Sequence, residues 1–279
     1  MVADDACADS AAGWAVAESA AHAATGRFGS RLRSVYALGS LAHGGFCPLV
    51  SDVDVAVVLT NLGDRDRAQI EALAAGVRQS GAQLAERLSL FWGTEDSIAE
   101  RAPGGRFPAL DRLDLIRHGT LIAGEDIRAA LPEPSYEDLV TGTARFAIGM
   151  LTQADRRREI VDAQYTAALG PRPASKVALF PVRFLFTART GLSGENRAAA
   201  GHYLAVTPDG PTAELARAGI LWRTRWSRAD RESAARLFQS GAVPLYQEFA
   251  AEYAGRLRGM DRARLAGDLS TWAAVLARR

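Results

Sequence analysis

Val35-Tyr36-Ala37-Leu38-Gly39-Ser40, then eleven intervening residues, then Asp52-Val53-Asp54-Val55-Ala56-Val57-Val58-Leu59 is the stretch that decides the fold of this chain. The first apolar run reads as a buried strand that ends at Gly39. The second, from Val53 to Leu59, places Val53, Val55 and Val57 on one face. Gly39 has no Cβ, so backbone there can come close to a ligand. A Gly-Ser turn leading into a short helix offers N–H groups and a hydroxyl to a phosphate. Asp52 and Asp54, two apart on a strand, leave the same face. Two carboxylates held that close repel unless a hard cation such as Mg²⁺ sits between them. Taken singly, Ser-Asp ahead of a strand is turn chemistry and Asp-x-Asp is common. In combination, charges embedded in Val/Ala-rich strand sequence are costly to bury without a partner. The segment therefore points to a site for phosphate and metal.

Outward from this stretch, residues 65–87 show helical spacing at Ile70, Leu73, Ala74, Val77 and Leu84. Leu88 to Trp92 reads as a third strand, stopped by Gly93. This β–turn–β–α–β order predicts a small mixed sheet with helices on one side, an α+β arrangement. Pro132 and Pro134 mark a boundary. Beyond 135 the periodicity is helical only, with helices expected over 136–160, 174–190, 194–205, 211–222, 228–240, 243–258 and 261–277. Gly191 and the run Pro208-Asp209-Gly210-Pro211 punctuate them. The expected division is 1–134 for the mixed-sheet domain and 135–279 for an all-α helical bundle.

Composition narrows the classes. The chain has 279 residues, close to the size at which a second domain becomes the rule. No apolar run reaches the roughly 18 residues a membrane span needs. The alanine-rich start carries Asp4, Asp5 and Asp9, the wrong sign for a secretory leader. Cys7 and Cys47 are far apart and lack neighbouring histidines, which argues against a disulfide framework and against a zinc site. A cytoplasmic location is the default. Lys176 is the sole lysine, and charge is unevenly divided. Residues 1–134 hold 12 arginines against 18 carboxylates (net −6), and 135–279 hold 21 basic residues against 14 acids (net +7).

The segment from Tyr36 to Leu59 resembles the Gly-Ser…Asp-x-Asp signature of the DNA polymerase β nucleotidyltransferase superfamily. The resemblance implies that Gly39 and Ser40 bind the β/γ-phosphates of a nucleotide and that Asp52 and Asp54 are catalytic and hold Mg²⁺. His43 stands where many members carry an arginine, so the resemblance leaves two readings for it, a phosphate contact or an ordinary helix or surface residue. In architecture the chain looks closest to the aminoglycoside nucleotidyltransferases of the streptomycin/spectinomycin type. A second similarity lies at Arg183-Phe-Leu-Phe-Thr-Ala-Arg-Thr-Gly191 followed by Arg197-Ala-Ala-Ala200. Two departures stand out. Those enzymes place a third carboxylate, as metal ligand or general base, on the strand after the long helix, and here that position holds Ser89. They also carry a lysine soon after the Thr-Gly, and Ser193-Gly-Glu-Asn196 has none. Glu86, Glu95, Asp96 and Asp114 are candidates to replace the missing acid, Asp114 the best placed among apolar neighbours.

The activity implied is Mg²⁺-dependent transfer of a nucleoside monophosphate, AMP from ATP, to an acceptor hydroxyl with release of pyrophosphate. The alternatives are a non-catalytic nucleotide-binding module or a transferase acting on a protein or tRNA. The partners expected are a nucleoside triphosphate and a small acceptor that is not a polycation, given the basic helical part, with nucleic acid a further option and no membrane. Arg156-Arg157-Arg158 reads as a solvated helix face. Trp222-Arg-Thr-Arg-Trp226 mixes aromatic and basic residues as single-strand nucleic-acid binders do, yet an i,i+4 tryptophan pair is more simply one side of a buried helix. His22, His118 and His202 receive no role.

Overall fold

The structure, a computed structural model, describes residues 10–276, and the chain divides into two compact units, Met1–Pro134 and Ser135–Arg279. The first unit runs α1 (Ala11–Phe28), β1 (Leu32–Leu38), the single-turn α2 (Gly39–Ala42), β2 (Val53–Leu59), α3 (Asp66–Arg78), β3 (Leu88–Thr94), the single-turn α4 (Glu95–Ile98), α5 (Ala109–His118) and β4 (Thr120–Gly124). The strands form one mixed sheet in the order β3-β2-β1-β4. β1 is antiparallel to β2 and β4, whereas β2 and β3 are parallel, joined through α3.

Helices cover both faces of this sheet, not one. Val53, Val55, Val57 and Leu59 pack with Val35 and Ala37 against α1 and α3. Tyr36, Leu38, Ala56, Val58 and Phe91 face the other way, onto Ile98 of α4, Leu115 of α5, Ile127 and Leu131. The reason is visible in β2: six of its seven residues are buried and only Asp54 is partly exposed. A strand apolar at both parities is the mark of a sheet covered twice.

Other elements differ from the sequence expectation in detail. α3 stops at Arg78, where Ser80-Gly81 breaks the pattern. β3 continues through Gly93 to Thr94, whose side chain then caps α4 in a reciprocal pair with Ser97. β4 is an additional strand at the sheet edge; its residues are exposed or half-buried, so it lacks the apolar alternation that marks an inner strand. Cys47 is buried, 4% exposed. Cys7, Asp4, Asp5 and Asp9 lie outside the described residues.

The second unit is all helical: α6 (Tyr136–Leu151), α7 (Ala154–Val161), α8 (Ala163–Leu169), α9 (Pro171–Thr190), α10 (Asn196–Val206), α11 (Pro211–Leu221), α12 (Arg228–Gly259) and α13 (Ala263–Leu276). The expected 136–160 helix is two helices, and 228–240 and 243–258 are one continuous helix that carries Pro244. Packing overrides the proline. α12 lies against α9, where Tyr246 and Tyr253 hydroxyls donate to the Val177 and Phe184 carbonyls at 3.0 and 2.8 Å. At Gly241 an added Cβ would stand 2.5 Å from the Pro211 carbonyl oxygen, so the α11 start and α12 touch backbone to backbone. Arg189 of α9 bridges Glu248 and Glu252 at 3.0 and 2.7 Å. Trp222 is 2% exposed and packs on Phe238 and Trp226, a core role that removes it from any stacking platform. Among the described residues no helix is long and apolar enough to cross a membrane.

Candidate nucleotide and metal site

β1 ends at Leu38 opposite Asp54, and Asp54 pairs on its other side with Ser89 of β3. Leu38, Asp54 and Ser89 therefore form one row across three strands, on the face shared with Tyr36, Ala56 and Phe91. The next residue, Gly39, turns the chain with φ +60°, and a Cβ added there would stand 2.8 Å from Asp54 Oδ2. The left-handed backbone favours glycine, and the nearby carboxylate oxygen would have to move for any larger residue. Asp52 is not on a strand, because β2 begins at Val53. It sits one residue ahead, about 6.6 Å along an extended chain from Asp54, and both side chains are half-buried.

Asp114 arrives from α5, and the Gly39 N–H donates to its Oδ2 at 2.6 Å. α5 is firmly seated on this face: Leu115 is fully buried, and Arg112, 3% exposed, donates to the Ile98 carbonyl at 2.9 Å. One turn after Asp114, His118 sets its ring 5.8 Å from that of His43 at the end of α2. The structure thus gathers Gly39, Asp54 and Asp114 at one point, with the two histidines close by along α2. His118 had no role in the sequence; its spacing of four from Asp114 was the only available signal. The other candidate acids are spent at the surface. Glu86 pairs with Arg87, and Glu95 and Asp96 with Arg101.

Among the described residues no group of three or more His, Cys, Asp or Glu side chains is arranged to hold a metal ion. Asp52 and Asp54, both half-buried at the join of the turn and β2, are the carboxylates that could serve as donors to a cation. Hard carboxylate oxygens in that number suit Mg²⁺, which is commonly held by one or two carboxylates together with substrate phosphates.

In the second unit Gly191 ends α9 with φ +70°, and Arg183 Nε donates to the Gly194 carbonyl at 2.8 Å. Burial pushes the Arg223 guanidinium down to about 10, with Arg183 and Arg197 repelling its charge and Glu195 opposing them. The lysine-free stretch after Thr190-Gly191 thus lies near a cluster of arginines, among them Arg223 of the Trp222-Arg-Thr-Arg-Trp226 run.

No protein-family model matches the sequence, and no curated protein matches it. Among solved structures, the chain is similar to spectinomycin adenyltransferase AAD(9) from Enterococcus faecialis, determined with ATP and spectinomycin. The identity is 14% and the TM-score 0.53, over 81% of this chain and 99% of that one. The two share a fold, a small α+β mixed-sheet unit followed by a helical region.

Proposed function

We propose that this protein is a nucleotidyltransferase that moves a nucleoside monophosphate, AMP from ATP in the simplest case, to an acceptor hydroxyl with release of pyrophosphate. The observation that carries the proposal is the join between β1 and β2. A left-handed Gly39 is seated against the Asp54 carboxylate, with Ser40 next in the turn and Asp52 just ahead of the strand. Shared fold with an adenyltransferase determined with ATP supports the choice of nucleotide.

In this reading Gly39-Ser40 holds the leaving pyrophosphate, with the Ser40 hydroxyl and N–H as donors. Asp52 and Asp54 would hold Mg²⁺. That ion supplies charge neutralisation on the triphosphate and a lowered pKa for the acceptor oxygen. The chain's own contribution is placement: the row Leu38–Asp54–Ser89 keeps the carboxylate of Asp54 at the turn. Ser89 leaves β3 without an acid in that row, so no proton acceptor comes from this strand. A missing general base typically lowers rate by about 10²–10⁴ without abolishing transfer. The acceptor we favour is a small hydroxyl compound, neutral or anionic.

A second reading follows from the same serine: a nucleotide-binding module without transfer activity. One experiment separates the two. The protein is incubated with each NTP, Mg²⁺ and a panel of acceptors while pyrophosphate is measured. Release that depends on Asp54 supports transfer. Binding of Mg²⁺·ATP with no release under any acceptor supports the module, and no nucleotide binding at all overturns both.

A further inference from the structure

Gly39 is held from two sides. From β2, Asp54 Oδ2 stands 2.8 Å from where a Cβ would be; from α5, Asp114 Oδ2 accepts the Gly39 N–H at 2.6 Å. α2 has only four residues, so it has no interior to fix its first residue, and none of its N–H groups finds an acceptor within it. A left-handed residue at the head of so short a turn needs support from outside. α5 gives it at both ends of α2, with Asp114 at Gly39 and, one helical turn later, His118 beside His43. Leu115 and Arg112, both buried, keep α5 from shifting.

We propose that Asp114 is a positioning residue of the phosphate turn and not a third metal ligand. Through the Gly39 amide it fixes the left-handed kink that sets Ser40 at its distance from Asp54. This rests on the proposed role of Gly39-Ser40 and deepens it: with the Gly39 N–H committed to a carboxylate, triphosphate oxygens are left to the Ser40 N–H and hydroxyl. Two consequences distinguish positioning from ligation. The contact needs an acceptor atom rather than a charge, and asparagine retains one in the same place. A full negative charge beside a phosphate also opposes binding, so losing the charge while keeping the acceptor does not weaken the nucleotide.

The test uses the full chain as wild type, Asp114→Asn and Asp114→Ala, with three readouts. Hydrogen exchange of the Gly39 amide, read by NMR without nucleotide, reports the contact itself. Calorimetry reports Mg²⁺·ATP affinity, and Mn²⁺ alone, followed by electron paramagnetic resonance, reports the metal site. Asp114→Ala should speed Gly39 exchange and weaken Mg²⁺·ATP, each about tenfold, as expected for one lost hydrogen bond to a charged group. Asp114→Asn should keep slow exchange and bind Mg²⁺·ATP at least as tightly as wild type. Mn²⁺ affinity should be unchanged in both. Unchanged exchange in Asp114→Ala, alanine-like behaviour of Asp114→Asn, or loss of Mn²⁺ in either variant overturns the proposal. Should Asp114→Ala fail to fold, Asp114→Asn decides alone, because ligation requires it to lose Mn²⁺. A wild type that binds no nucleoside triphosphate overturns the phosphate reading of the turn, while the exchange data still decide whether Asp114 sets its backbone.

Discussion

Asp52 and Asp54 are two like charges two residues apart, and this makes their mutants informative. Asp52→Asn and Asp54→Asn are each expected to abolish Mg²⁺-dependent ATP binding while leaving stability unchanged or slightly higher, since removing one of two like charges relieves strain. Calorimetry and urea unfolding check the two halves of that statement; full binding in either variant, or unfolding of both, defeats the metal assignment. Gly39→Ala has the opposite profile. The left-handed backbone costs about 1–2 kcal/mol for a residue with a Cβ, and the new methyl meets Asp54 Oδ2 at 2.8 Å. Unfolding free energy should fall by at least that amount, and nucleotide binding should be lost with it. Ser89 offers a gain-of-function test. It pairs with Asp54 in the β2–β3 register, so Ser89→Glu should raise turnover by up to about 100-fold if a proton acceptor is what that row lacks. Equal turnover in this variant would mean that β3 is not where the proton goes.

At the scale of single elements, α3 and α12 show how partners outside an element set its limits. α3 starts at Asp66, 2% exposed, which accepts the Gly63 N–H at 2.7 Å and pairs with Arg31 from the segment before β1. Burial alone would raise the Asp66 carboxyl, but the Arg31 guanidinium and the Gly63 N–H outweigh it and hold the group below its ordinary value of 3.8. A depressed folded-state pKa means the stabilisation is complete above 3.8 and is lost as pH falls through the lower folded value. Acid unfolding of the first unit should therefore start below about pH 4 in wild type and lose that component in Asp66→Asn, as pH-dependent urea titrations would show. In α12, Pro244 is exposed and lacks the N–H that would otherwise bond back to Ser240. Pro244→Ala should raise the stability of the helical unit by about 1–2 kcal/mol, the restored bond being offset in part by a more flexible unfolded chain. A fall in the unfolding midpoint would show that packing at Gly241 already accommodates the proline.

Across the whole molecule, charge is segregated between an acidic first unit and a basic second one, net −6 and +7. Enzymes that take aminoglycosides need acidic walls for several ammonium groups, and a basic helical unit suits a neutral or anionic acceptor better. Kanamycin and streptomycin are therefore expected to show no calorimetric binding tighter than about millimolar. Micromolar binding of either would reverse the acceptor class. Segregation also predicts a salt effect: anionic acceptors should bind more weakly as ionic strength rises, because screening shortens the reach of the basic unit's field.

The sequence by itself determined the strand–turn–strand of β1 and β2, the Gly39-Ser40 turn and Asp52-x-Asp54. All of these lie within one short stretch, where local spacing dictates geometry. It also determined that the chain turns from mixed structure to helices after Pro134, since periodicity is a local property. Only the tertiary structure decided what depends on residues distant along the chain. β4 at the sheet edge, the fusion of α12 through Pro244 and the cluster of Arg183, Arg197 and Arg223 have no local signature, and which helices cover the second face of the sheet is set by residues far from β2. Asp114 shows the difference most plainly: its apolar neighbours in sequence make it one of four candidate acids and assign it no partner. Its neighbour in space is the Gly39 amide at 2.6 Å, because burial of Leu115 and Arg112 fixes α5 on the face from which Asp54 emerges.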